Sequence, residues 1–156
     1  MIASRKSLLT PNRRGLLAAG GGLVGLLALR PAHATASAMQ EAMKAFCAGV
    51  TPQAGRVTLD IPPLVENGNS VPLTVRVEAA MTAQEHVRRI GVFNERNPQP
   101  NIAVFHLNAR SGRAEVATRI RLGDSQIIAA IAELSDGSLW TATAELVVTL
   151  PACVES

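Results

Sequence analysis

The sequence is poor in the residues that most often carry chemistry. Its 156 residues include no tyrosine, one tryptophan, three phenylalanines, two cysteines and three histidines. With Phe46, Phe93, Phe105 and Trp140 as the whole aromatic set, a core must be built mainly from Val, Ile, Leu and Ala. Metal ligands are equally scarce. Beyond residue 34 the soft candidates are His86, His106, Cys47 and Cys153, with no close-spaced pair among them. A blue-copper site has a histidine and usually a methionine shortly after its cysteine, whereas only Val154, Glu155 and Ser156 follow Cys153. A tetrahedral zinc site would need all four groups to converge from four separate elements. No metal is therefore expected. His106, in the apolar run "IAVFHLN", reads as a strand residue with a hydrogen-bonded ring, and His86, beside Arg88 and Arg89, as a surface residue. There is no Gly-x-Ser-x-Gly elbow. Acids such as Glu66 and Glu78 have no spacing that suggests general acid–base work and read as solvated positions.

Long apolar runs are missing too. The longest, from Gly15 to Leu29, is about 15 residues and glycine-rich, too short to cross a bilayer of roughly 30 Å comfortably. It follows a basic region holding Arg5, Lys6, Arg13 and Arg14, and precedes the small-residue site Ala32-His33-Ala34. That order is the pattern of a secretory signal, and the paired Arg13-Arg14 of "NRRGLL" mark it as a twin-arginine signal. Residues 1–34 are expected to be removed on export to the periplasm, leaving no stable membrane anchor. The positive charge goes with them. Of 15 Lys and Arg, five lie before residue 35, leaving ten against 12 Asp and Glu, a balance of −2. The basic character of the whole chain therefore says nothing about nucleic acid, and none is expected as a partner.

What remains is about 120 residues, enough for one domain with one core. Residues 37–48 have helical spacing. Met39, Met43, Phe46 and Cys47 fall on one face, Ser37 can N-cap, and Gly49 is a suitable stop. From Arg56 onward the period changes to two. "VPLTVRVEA" places Val71, Leu73, Val75 and Val77 on one side of a strand, and Thr74, Arg76 and Glu78 on the other. Further strands are predicted over Arg56–Ile61, Val87–Asn94, Asn101–Leu107, Glu115–Leu122, Gln126–Leu134 and Ser138–Leu150. Turn chemistry separates them in "ENGNS", "NERNPQPN", "NARSGR", "GDS" and "SDGS". Seven short strands at this spacing, with no helices between them, predict an all-β, immunoglobulin-like antiparallel β-sandwich after a short N-terminal helix. The apolar run "IIAAIA" (127–132) reads as a core strand close to a partner surface.

The cysteines leave alternatives open. In an exported chain, Cys47 and Cys153 suggest a disulfide, yet Cys47 belongs to a helix face and Cys153 lies beyond the last strand. The blocks "TPQAGRVTLDIPPLVENGNSVPLTVRVEAAMT", "IGVFNERNPQPNIAVFHLNARSGRAEVATRIRL" and "IIAAIAELSDGSLWTATAELVVTL" bear on this. In that order, with the "ENGNSVPLTV" turn-and-strand and the Phe-x-x-x-Asn-Pro-x-Pro loop, the chain from about residue 41 to 153 resembles SoxY. SoxY is the sulfur-carrier subunit of the bacterial periplasmic thiosulfate-oxidising system.

The resemblance implies an immunoglobulin-like domain over residues 35–150 and a C-terminal cysteine arm over 151–156. It implies that the domain forms a heterodimer with a SoxZ-like subunit. Sulfur intermediates would be held covalently on Cys153, and the chain itself would be no enzyme and need no cofactor. Its clients would be a Sox-type cytochrome, a sulfate-releasing hydrolase and sulfane-oxidising enzymes. The family's arm is a mobile Gly-Gly-Cys-Gly-Gly segment; here Pro151-Ala152 precede the cysteine and Val154-Glu155-Ser156 follow it. Proline fixes φ and stiffens the approach, so the arm is expected to keep its thiol and lose flexibility. The alternative is a SoxY-type paralogue acting as a structural or binding subunit, with Cys153 idle or disulfide-bonded to Cys47. A copper- or thiol-dependent oxidoreductase lacks its ligands.

Overall fold

The alternation of apolar and polar residues becomes two stacked sheets in the computed structural model, which describes residues 36–153. The expected export signal, with Arg13 and Arg14, lies outside the described residues, as do Val154, Glu155 and Ser156. A helix, α1 (Ala36–Phe46), precedes the strands β1 (Gln53–Ala54), β2 (Val57–Asp60), β3 (Leu64–Val65), β4 (Val71–Val77) and β5 (Val87–Asn94). After them come β6 (Asn101–His106), a 3-10 turn (Ala109–Ser111), β7 (Glu115–Ile120), β8 (Gln126–Leu134) and β9 (Leu139–Val148). The larger sheet runs β1-β9-β8-β5-β6, with β3 also on β9, and the smaller runs β2-β4-β7.

All seven expected strands are present, their ends trimmed by one or two residues at most. The two unanticipated strands are β1 and β3, too short to show any alternation. Both lie parallel to β9, pairing Gln53 with Trp140 and Leu64 with Val147; the remaining pairs are antiparallel. Pro72 is tolerated inside β4 because β2 ends opposite Thr74, so at Pro72 the strand has a ladder partner only on the β7 side. The β8–β9 hairpin turns through a type I turn, with the Gly137 N–H donating to Leu134 O and Gly137 at φ 84°. Of Asp136-Gly137 only the glycine takes a positive angle, as the last position of a three-residue loop requires.

The core lies between the sheets. Val71, Leu73, Val75 and Val77 of β4 face Val87, Ile90 and Val92 of β5 and Ile128, Ala130 and Ala132 of β8. The run "IIAAIA" is a core strand, as expected, and its two-sided apolar character has a cause within the chain. Its outward residues Ala129 and Ile131 are covered by α1 of the same chain, through Met39, Phe46 and Cys47 together with Phe93 and Leu139. This run is therefore not an open partner surface; Ile127 alone among its six residues remains exposed.

The helix face of Met39, Met43, Phe46 and Cys47 packs as its spacing predicts, with Met43 half-buried. Ser37 lies within the helix as described. The helix closes one residue earlier than its glycine, with Ala48 in the left-handed region at φ 49°. The Ala48 N–H donates to Ala45 O and the Gly49 N–H to Lys44 O, a Schellman closure. The seat of the helix is Gly91 of β5. The rings of Phe46 and Phe93 meet edge to face, 5.6 Å between centroids, and a Cβ on Gly91 would come within 2.9 Å of both. Gly91→Val is expected to lower stability by about 1–3 kcal/mol in urea unfolding. Adding Phe46→Ala should cost less than the sum of the two single changes, because the pair shares one space.

Candidate functional site

After β9 the chain does not leave the domain. Leu150 O accepts the Gly68 N–H at 2.8 Å, Gly68 O accepts the Leu122 N–H at 2.9 Å, and Leu122 O accepts the Ala152 N–H at 2.9 Å. Three segments are thus laced together by backbone alone, and Ala152 is buried. The "ENGNS" turn supplies the residue that permits this approach. A Cβ on Gly68 would overlap the Leu122 carbonyl oxygen and lie 2.9 Å from the Ala152 nitrogen. The arm, expected to be stiffened, is as far as Ala152 a strap. Burying its backbone requires that the polar groups be paired, and Gly68 and Leu122 pair them. Cys153 is the residue that emerges from it, an exposed free thiol.

Cys153 borders an open cleft of about 580 Å³ whose other walls include Asn69, Asn97, Asn101, Ile102 and Arg121. Its floor is the loop after β5, held by amide side chains. Buried Asn94 donates from Nδ2 to Gln99 O at 2.6 Å and accepts the Asn97 N–H on Oδ1 at 2.9 Å. Asn97 Oδ1 accepts from the Gly123 N–H and from Gln126 Nε2, both at 3.0 Å, while its Nδ2 donates to Arg121 O at 2.7 Å. Gln126 Oε1 accepts the Arg96 N–H at 2.9 Å. A loop this rich in asparagine and proline would expose many backbone groups, and the amides satisfy them locally. Sequence reasoning marked this stretch as a turn and as a block of family resemblance, without roles for Asn94, Asn97, Gln126, Gly68 or Arg121. The signal available was the position of the Asn-Pro-x-Pro and "ENGNS" blocks, since both turn out to border the cysteine.

The other candidates lie elsewhere. Cys47 is a buried free thiol beneath the end of α1, among Phe46, Phe93 and Leu139. It shares no lining residue with the Cys153 cleft. The Cys47–Cys153 disulfide considered from sequence is not formed: one thiol is held in an apolar interface by the helix face, and the other is carried off by the strap. Burial pushes the Cys47 thiol up from its ordinary value, partly opposed by the charge of Arg89 and reinforced by Glu133. Arg89 itself stacks 4.1 Å over the Phe46 ring, donates to Phe46 O at 2.9 Å and pairs with Glu133. His86 and His106 border a separate cleft with Arg88, Arg89 and Glu133, so the four residues weighed as metal ligands are not brought together. His86 is half-buried, its Nδ1 3.1 Å from Thr82 O. His106 is exposed, and its ring makes no hydrogen bond among the described residues, unlike the bonded ring expected, because β6 is an edge strand with water beside it.

An immunoglobulin-like sandwich that presents an exposed thiol just beyond a tethered segment is the class of protein these observations define. Comparison with known proteins narrows it. The family described as sulfur oxidation protein SoxY matches over residues 43–153, a span that includes both cysteines. The chain belongs to the SoxY family. The sulfur carrier protein SoxY from Chlorobium limicola f thiosulfatophilum is 27% identical with a TM-score of 0.60, covering 74% of this chain and 100% of that one. Superoxide reductases share the fold alone. The enzyme from Ignicoccus hospitalis is 16% identical with a TM-score of 0.54, covering 74% of this chain and 94% of that one. That from Nanoarchaeum equitans is 14% identical with a TM-score of 0.52, covering 62% and 100%. No curated protein matches the chain.

Two outcomes test the site. At pH 8 iodoacetamide should label Cys153 within minutes and leave Cys47 unlabelled until the chain is unfolded, as read by peptide mass mapping. The raised Cys47 value has a defined sign for stability. The folded state holds this proton more tightly, so the contribution is full below the unfolded thiol value, roughly 8.5 to 9, and falls as pH rises beyond it. Separately, Gly68→Ala is expected to break the strap, costing about 1–3 kcal/mol, with faster hydrogen exchange at the Ala152 amide. Unchanged exchange there would count against the lacing described above.

Proposed function

We propose that this protein is a periplasmic sulfur-compound carrier of thiosulfate oxidation, holding its cargo covalently on Cys153 in a heterodimer with a SoxZ-like subunit. The observation that carries this reading is the exposed free thiol of Cys153 at the end of a SoxY-family domain. Likeness to the Chlorobium sulfur carrier supports it. The step is an oxidative coupling. The Cys153 sulfur bonds to the terminal sulfur of thiosulfate, the thiol proton leaves to solvent, and two electrons pass to an acceptor, here a Sox-type cytochrome. Sulfate release by a hydrolase and oxidation of the remaining sulfane sulfur would follow on the same residue. The chain supplies the attachment point and no catalysis, and the bound sulfur is cargo rather than a cofactor. The twin-arginine signal read in residues 1–34 supports export to the periplasm.

A second reading draws on the strap. Ala152 is buried and bonded where a carrier arm would be free, which favours a SoxY-type paralogue serving as a structural or binding subunit with Cys153 idle. Intact-mass spectrometry separates the two. After incubation with thiosulfate, a SoxZ-like subunit and a Sox-type cytochrome, the carrier gains one thiosulfonate group on wild type and none on Cys153→Ala. Failure of wild type to gain it would leave the second reading standing. The same spectrum reads whether residues 1–34 have been removed.

A further inference from the structure

The cleft beside Cys153 has an electrostatic character that the carrier reading alone does not require. Its described lining contains amides, Pro98, Ile102, the thiol and one charged side chain, Arg121; no Asp or Glu is among them. The arginines Arg56, Arg76, Arg88, Arg89 and Arg113 each have a carboxylate partner. Arg96, Arg110, Arg119 and Arg121 have none among the described residues, and of these Arg121, whose side chain is exposed, lines the cleft. Its backbone, by contrast, is fixed from two directions. Asn97 Nδ2 donates to Arg121 O at 2.7 Å, and the next residue, Leu122, receives the Ala152 N–H. Arg121 and Cys153 thus flank a single hydrogen bond between the strap and the body of the domain. A cation and a thiol thus border one open cleft, each one residue from that bond.

We infer that this cleft is a sulfonate-receiving site, in which Arg121 holds the anionic end of the group carried on Cys153. The inference rests on the carrier reading above and names what the site recognises. A thiosulfonate on Cys153 ends in a negatively charged, three-oxygen group a few ångströms beyond the sulfur. A guanidinium offers such a group paired N–H donors in a planar fork. The strap holds the chain as far as Ala152, and Arg121 is the one cationic residue in the described lining of the cleft that Cys153 borders. Arg121 is a binding and positioning residue for the cargo.

Tetrathionate tests this without any added oxidant. The Cys153 thiolate attacks a central sulfur, the central S–S bond breaks, thiosulfate leaves, and Cys153 carries a thiosulfonate; the thiol proton goes to buffer. A neutral reagent, 4,4′-dithiodipyridine, reacts at the same sulfur with no charge to steer. With the full chain at low salt, Arg121→Gln should slow tetrathionate loading of Cys153 by about fivefold, as read by intact mass over time. Its rate with the neutral disulfide should match wild type, Arg121→Lys should fall between, and the wild-type advantage should shrink as salt rises. Equal tetrathionate rates for wild type and Arg121→Gln would overturn the inference and leave the carrier reading intact. So would equal slowing with both reagents, which would mean that the thiol itself had changed. A Cys153 that neither reagent modifies would overturn the inference and the carrier reading together.

Discussion

Leu122 ties the exposed thiol to the interior of the domain. Its side chain is fully buried among the valines and isoleucines between the sheets, while its N–H and C=O are engaged by Gly68 and Ala152. Burying a leucine side chain is favourable by roughly 1.5–3 kcal/mol, and that burial fixes the backbone to which the last residues are laced. The position of Cys153 is therefore a consequence of core packing one residue removed. Amide side chains hold the neighbouring loop to the same segment. Asn97 grips Arg121 O and Gly123 N–H on either side of Leu122, and Gln126 ties the Asn-Pro-x-Pro loop to the start of β8.

This arrangement recasts what the departure from a glycine-rich arm means. Glycines on both sides of a cysteine would let it swing widely. Pro151 and Ala152 give up that freedom, and the structure shows Ala152 used as a packed, hydrogen-bonded anchor. A tethered thiol gives up reach and gains a fixed surrounding. The cleft next to it, with amides and one arginine, is a surrounding of defined chemistry.

The second cysteine illustrates how similar residues acquire different roles from their surroundings. Cys47 lies with Phe46 under α1, where the rings of Phe46 and Phe93 close over Gly91 and Arg89 stacks on the outside. Burial disfavours its thiolate, and the thiolate is the reactive form. Cys47 is a packing residue with sulfur's bulk. Cys153 differs in exposure, not in kind.

Much of the fold could be read from local pattern. Period-two alternation located β4 to within two residues, the bounds expected for β5 and β8 matched, and 3.6-residue spacing identified the face of α1, because a strand or helix with one buried face must place its apolar residues at those intervals. The family blocks and Cys153 were legible for the same reason: they are contiguous words in the chain. Tertiary structure alone decided what was not local. β1 and β3 exist only because β9 offers an edge to pair with; the outward face of β8 is covered by a helix about eighty residues earlier; and Arg121, Gly68 and Asn97 meet beside Cys153 only after three separate loops have converged. Hydrogen bonds between distant backbones leave no period in a sequence, so the strap and its cleft could be seen only in the folded chain.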